Sequence, residues 1–81
     1  MKIIDVRTIA EFNSGHAPGS INIPLSEIAA KVEEIKNMNQ RIILCCASGN
    51  RSGQATNFLK SYGVDCENGG SWIEVLNLEI K

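Results

Sequence analysis

The segment that most restricts the fold is the run Ile42-Ile43-Leu44-Cys45, entered from Arg41. A strand that is apolar almost without interruption is buried on both faces, as strands are at the centre of a parallel sheet covered by helices above and below. The neighbouring patterns agree with that setting. Ile3-Ile4-Asp5-Val6 reads as a short buried strand, Ser20-Ile21-Asn22-Ile23 as a brief one stopped by Pro24, and Val64-Asp65-Cys66 as another. Helical signals fall between them. Thr8-Ile9-Ala10-Glu11 has capping-box spacing and opens a short helix that Gly15 ends, ahead of a turn at His16-Ala17-Pro18-Gly19. Ile28, Val32 and Ile35 recur at helical spacing behind Ser26, with Lys31, Glu33, Glu34 and Lys36 on the solvated face.

After the central strand and a loop, Ala55, Phe58, Leu59 and Tyr62 give a further helix its apolar face, and Gly63 stands where a helix end wants a left-handed residue. Gly69-Gly70 reads as a turn. Ser71-Trp72-Ile73-Glu74 repeats the capping-box spacing at the head of a last helix that buries Trp72, Val75 and Leu76. Strands alternating with helices predict an α/β layer structure, a small central parallel sheet flanked by helices. A chain of 81 residues holds one core, so residues 1–81 are expected to form a single domain.

Charge and cysteine usage narrow the function classes. A net charge of -1 with both signs mixed along the chain offers no basic stripe for nucleic acid and no polybasic segment for a membrane surface. No apolar run is long enough to span a bilayer, and no signal-peptide pattern follows Met1-Lys2-Ile3. The three cysteines, Cys45, Cys46 and Cys66, make neither an even disulfide framework nor two Cys-x-x-Cys pairs for zinc, so no metal site is expected. Sparse thiols of odd number fit a reducing compartment, and the expected location is the cytoplasm; a cleaved export signal would place the chain in the periplasm instead.

Chemistry concentrates in Cys46-Ala47-Ser48-Gly49-Asn50-Arg51-Ser52, between the central strand and the helix after it. A loop curling into a helix aims backbone N–H groups inward and makes a cradle for negative charge. A thiol at the foot of that cradle ionises readily, because a positive helix end and a nearby arginine lower thiol pKa values from about 8.5 to roughly 3.5–7.5. Ligands of parallel α/β sheets also sit beyond the carboxyl ends of the strands, where Cys46 falls. Strand alternation turns Cys45 the other way, into the core, and Cys66 reads as core as well.

Four segments in order resemble the rhodanese family of sulfurtransferases. Ile4-Asp5-Val6-Arg7 looks like its opening motif, and Gly15-His16-Ala17-Pro18-Gly19-Ser20-Ile21-Asn22-Ile23-Pro24 is similar to its second. Cys46 to Arg51 with Ser52 resembles its six-residue catalytic loop, and Gly69-Gly70-Ser71-Trp72 its segment near the carboxyl end. The resemblance implies a three-layer rhodanese-like domain in a minimal version, lacking sequence that relatives carry before the opening motif. It implies a monomeric enzyme that moves a sulfane sulfur from a donor such as thiosulfate or a polysulfide to cyanide, a thiol or a protein cysteine, without a cofactor.

By that resemblance Cys46 is the persulfide-forming nucleophile, and Ala47, Ser48, Gly49, Asn50, Arg51 and Ser52 bind the substrate. Arg51 either braces the loop or attracts an anionic donor, and the Ser52 hydroxyl donates to the thiolate. Asp5, Arg7 and His16 take structural roles, the first two as a strand-end ion pair. Two alternatives stand beside this reading. One is a sulfur-carrier or protein-binding module without turnover. The other starts from the Cys-x5-Arg spacing between Cys45 and Arg51, which is that of phosphatases and arsenate reductases and would make Cys45 the nucleophile.

Overall fold

The computed structural model describes residues 1–80; Lys81, the last residue of the expected domain, lies outside the described residues. Strands β1 (Lys2–Asp5), β2 (Ile21–Asn22), β3 (Ile42–Cys46) and β4 (Cys66–Ser71) form one sheet in the order β2-β1-β3-β4. Every pairing is parallel. The helices are α1 (Ile9–Asn13), α2 (Val32–Lys36), α3 (Asn50–Ser61) and α4 (Trp72–Ile80), with a 3-10 helix at Leu25–Lys31 running into α2. None of the described helices is long and apolar enough to cross a membrane.

All five residues of β3 are buried, as its unbroken apolar character requires of a strand covered on both faces. Its side chains alternate between the two faces of the sheet. Ile42, Leu44 and Cys46 pack with Ile4, Val6, Ile28, Ile35, Ala55 and Leu59 beneath the 3-10 helix, α2 and α3. Ile43 and Cys45 pack with Ile3 and Val75 beneath α4, where Trp72 closes the edge. Cys45 and Cys46 are therefore on opposite sides of the sheet.

Both capping boxes form. The Thr8 hydroxyl accepts from the Glu11 N–H and the Glu11 carboxylate accepts from the Thr8 N–H, and Ser71 and Glu74 exchange the same pair of bonds at the head of α4. Gly63 takes the left-handed conformation beyond α3, at φ 83°.

Five local expectations are changed. The strand expected at Val64-Asp65-Cys66 begins only at Cys66 and runs on to Ser71. The stretch behind Pro24 is a 3-10 helix before it becomes α2, and Ile28, Val32 and Ile35 are still buried along one side. Tyr62 lies past the last turn of α3 and is 52% exposed, so the apolar face ends at Leu59. The central strand runs one residue further than its apolar run and includes Cys46.

The largest difference is at Gly69-Gly70, which continues β4 instead of turning. Leu44 pairs with Asn68 and Cys45 with Gly70, so Gly69 is the extra residue of a bulge. Glycine is required there by space: a Cβ on Gly69 would stand 2.6 Å from the Val75 Cγ2 and 2.7 Å from the Ile43 Cγ2. Overpacking of this kind costs about 1–3 kcal/mol. Gly69→Ala is accordingly expected to lower the unfolding free energy by that amount, read as a lower urea midpoint at an unchanged denaturant slope; a wild-type midpoint would mean that α4 does not press on the bulge.

Candidate active site

The carboxyl ends of β1, β3 and β4 meet along one edge of the sheet, and the Cys46 loop stands there. Gly49, at φ 97°, reverses the chain after β3 and caps α3, which allows the loop to fold back over the strand end. The sulfur of Cys46 is then surrounded by donors. The Gly49 N–H lies 3.0 Å from Sγ, and the Ser52 N–H and Ser52 hydroxyl each lie 3.4 Å from it. The residue is 1% exposed, so these groups and not water solvate the sulfur.

Burial pushes the Cys46 thiol up, while bonds from the Ser52 hydroxyl and from the N–H groups of Ser52, Ser48 and Gly49 push it down. The bonds prevail, and the pKa falls from an ordinary 9.0 to about 7. The amino end of α3 lies beside the sulfur and adds its dipole in the same direction. Cys66 provides the contrast: it is buried with its sulfur 3.7 Å from the Thr56 carbonyl oxygen, and burial pushes its thiol up.

The remaining loop residues divide by direction. Ala47, Ser48 and Asn50 are exposed on the outer surface. The Arg51 guanidinium turns to Glu11, placing Nη1 at 2.8 Å from Oε1 and Nη2 at 2.9 Å from Oε2. Asp5 and Arg7 pair at 2.7 Å, and Arg7 extends to the Gly15 carbonyl at 2.7 Å and lies over the Trp72 ring. His16 stacks on Phe12 at 3.7 Å, and its Nδ1 is 2.8 Å from the Phe12 carbonyl oxygen, which requires Nδ1 to carry the proton. The structure thus gathers Ser48, Gly49 and Ser52 around Cys46 and engages Asp5, Arg7 and His16 with other partners.

Two residues of this edge were not singled out from the sequence. Asn68 accepts the Ser52 hydroxyl at 2.6 Å and the Gly70 N–H at 3.0 Å on its Oδ1, and donates through Nδ2 to the Gly49 carbonyl at 2.9 Å. Its side chain ties the middle and the far end of the loop to the bulge of β4. Glu11 is the second, known from the sequence only as a helix cap. Among the described residues no group of three or more His, Cys, Asp or Glu side chains is placed to hold a metal ion.

The family model for the rhodanese-like domain matches residues 1–77, and the chain belongs to that family. It is similar to thiosulfate sulfurtransferase PspE of Escherichia coli, 31% identical over 80 residues that cover 96% of this chain and 77% of PspE. It is 40% identical over 63 residues to YrkF of Bacillus subtilis, named as a candidate sulfur carrier protein; the match covers 78% of this chain and spans only 34% of YrkF. A solved structure described as rhodanese with anions from Escherichia coli superposes with a TM-score of 0.80 at 32% identity, covering 90% of this chain and 88% of that one.

The geometry fixes a pH dependence. Alkylation of Cys46 by iodoacetamide follows the thiolate, so its rate is expected to level off above pH 7 and to fall about tenfold per unit below it. Ser52→Ala removes the hydroxyl's share in stabilising the charged sulfur and moves the midpoint up, by roughly one unit at most because the same hydroxyl also bonds Asn68. An unchanged midpoint would show that the main-chain groups alone set the thiolate.

Proposed function

We propose that this rhodanese-family chain transfers a sulfane sulfur through a persulfide on Cys46. One observation carries the reading: main-chain N–H groups and a hydroxyl converge on Cys46 Sγ at the carboxyl end of the central strand. In the first step the Cys46 thiolate attacks the outer sulfur of a donor, the donor's sulfur–sulfur bond breaks and the remainder leaves with the electron pair. With thiosulfate the leaving group is sulfite, and three negative charges stand on each side of the step. In the second step a nucleophile such as cyanide or a thiolate takes the outer sulfur, and the Cys46 thiolate returns. The loop N–H groups face the sulfur that carries the negative charge before the first step and again after the second, which is the electrostatic help such a double displacement needs.

The nearly covered sulfur favours a slender terminal atom as its reaction partner over a bulky tetrahedral group. That supports sulfur over phosphate or arsenate as the cargo. Chemistry on Cys45 would require the loop donors to point at its sulfur, whereas Cys45 packs against Ile3, Ile43 and Val75 on the other side of the sheet. A carrier role differs only in the second step, with a protein cysteine as the acceptor; the match to YrkF keeps that acceptor in the proposal beside small thiols.

Exposure to thiosulfate or polysulfide followed by intact-mass measurement tests the reading. One added sulfur is expected on the wild type and on Cys45→Ser, and none on Cys46→Ser. Sulfur that still loads Cys46→Ser, or hydrolysis of an aryl phosphate that disappears in Cys45→Ser and persists in Cys46→Ser, would refute it.

A further inference from the structure

We infer that Glu11 sets the donor class, cancelling the loop's one cationic side chain so that the site favours thiol persulfides, whose reacting group carries at most one charge, over dianions such as thiosulfate. The inference rests on the persulfide reading above and extends it to the substrate.

Arg51 is the only cation between Cys46 and Ser52. Both arms of its fork are taken by Glu11, at 2.8 and 2.9 Å. The carboxylate is itself fixed, since Oε1 also accepts the Thr8 N–H at 3.0 Å and the Thr8 hydroxyl at 3.1 Å. Arg51 and Thr8 together hold the Glu11 carboxyl down at about 2, so it is charged at any pH where a thiolate exists. The capping box of α1 thereby pins the carboxylate that pins the arginine.

The other arginine at this edge is occupied as well. Arg7 gives its charge to Asp5 and a further N–H to Gly15. The cradle's positive potential therefore comes from N–H dipoles, and these already serve the Cys46 thiolate. Thiosulfate would bring two more negative charges into a site with no uncancelled cation. A persulfide R–S–SH brings none in its protonated form. Cys46 attacks its outer sulfur, the S–S bond breaks, RS⁻ departs, and Cys46–S–SH remains, with one negative charge before and after.

Glu11→Gln isolates the charge. Glutamine serves as well as glutamate at this position of a capping box, so α1 keeps its cap while Arg51 regains a net positive charge beside the loop. The measurement is the ratio of kcat/KM for thiosulfate to kcat/KM for 2-mercaptoethanol persulfide, taken on one sample so that any unfolded fraction cancels. The ratio is expected to rise on the order of tenfold in Glu11→Gln, with the gain shrinking at high salt, and to return to the wild-type value when Arg51→Gln is added. An unchanged ratio in Glu11→Gln, or an equal gain in the double variant, overturns the inference and leaves the persulfide reading intact. If neither donor places sulfur on Cys46 in any variant, the persulfide reading falls and this inference with it.

Discussion

Water scarcely reaches the ion pair of Asp5 and Arg7, whose side chains are 0% and 5% exposed. Taking two charges out of water is costly unless their remaining hydrogen-bonding groups are satisfied, and here they are. Asp5 accepts the Arg7 backbone N–H as well as Nε and Nη2, while Nη2 also reaches the Gly15 carbonyl and the guanidinium covers Trp72. The end of β1, the end of α1 and the start of α4 are joined at one point. Asn22 adds β2 by donating to the carbonyls of Asp5 and Arg7. The edge on which the Cys46 loop stands is thus fixed before the loop makes any contact of its own.

The parts of this arrangement that depend on neighbours in sequence were legible in the sequence. The apolar run of β3, both capping boxes, the left-handed Gly63 and the opposite directions of Cys45 and Cys46 follow from local periodicity and hydrogen-bonding capacity. What depends on distant partners was not. Gly69-Gly70 looks like a turn in isolation; it stays in the sheet because β3 offers Leu44 and Cys45 to pair with, and because a side chain at Gly69 would strike Ile43 and Val75. Tyr62 has the right spacing for a buried face, but the helix ends before it and its ring, set against Phe58, stays half exposed.

The same distinction holds at the site. Loop composition and position point to Cys46, because a thiol at a strand-to-helix turn is a local device. Glu11 and Asn68 reach the loop across 40 and 16 residues, and nothing near either in sequence announces it. Signals for both existed only in part. The lone cation Arg51 implied that a carboxylate partner was available somewhere, and an asparagine just before two glycines was consistent with a side chain bonding to the backbone.

Asn68 also alters how the Ser52 hydroxyl should be understood. That hydroxyl has one proton and two candidate acceptors, Asn68 Oδ1 at 2.6 Å and Cys46 Sγ at 3.4 Å. Asn68 is oriented by donating to Gly49 and accepting from Gly70, so its oxygen is held toward Ser52. With a neutral thiol the shorter bond to Asn68 wins; with a thiolate the charge draws the proton toward sulfur, and the Asn68 bond weakens in exchange. The hydroxyl stabilises the thiolate by the difference between two bonds, not by a whole one. The Ser52 hydroxyl and the N–H groups of Ser52, Ser48 and Gly49 together let a thiol this deeply buried ionise near neutrality, while its one neighbouring cation is neutralised by Glu11.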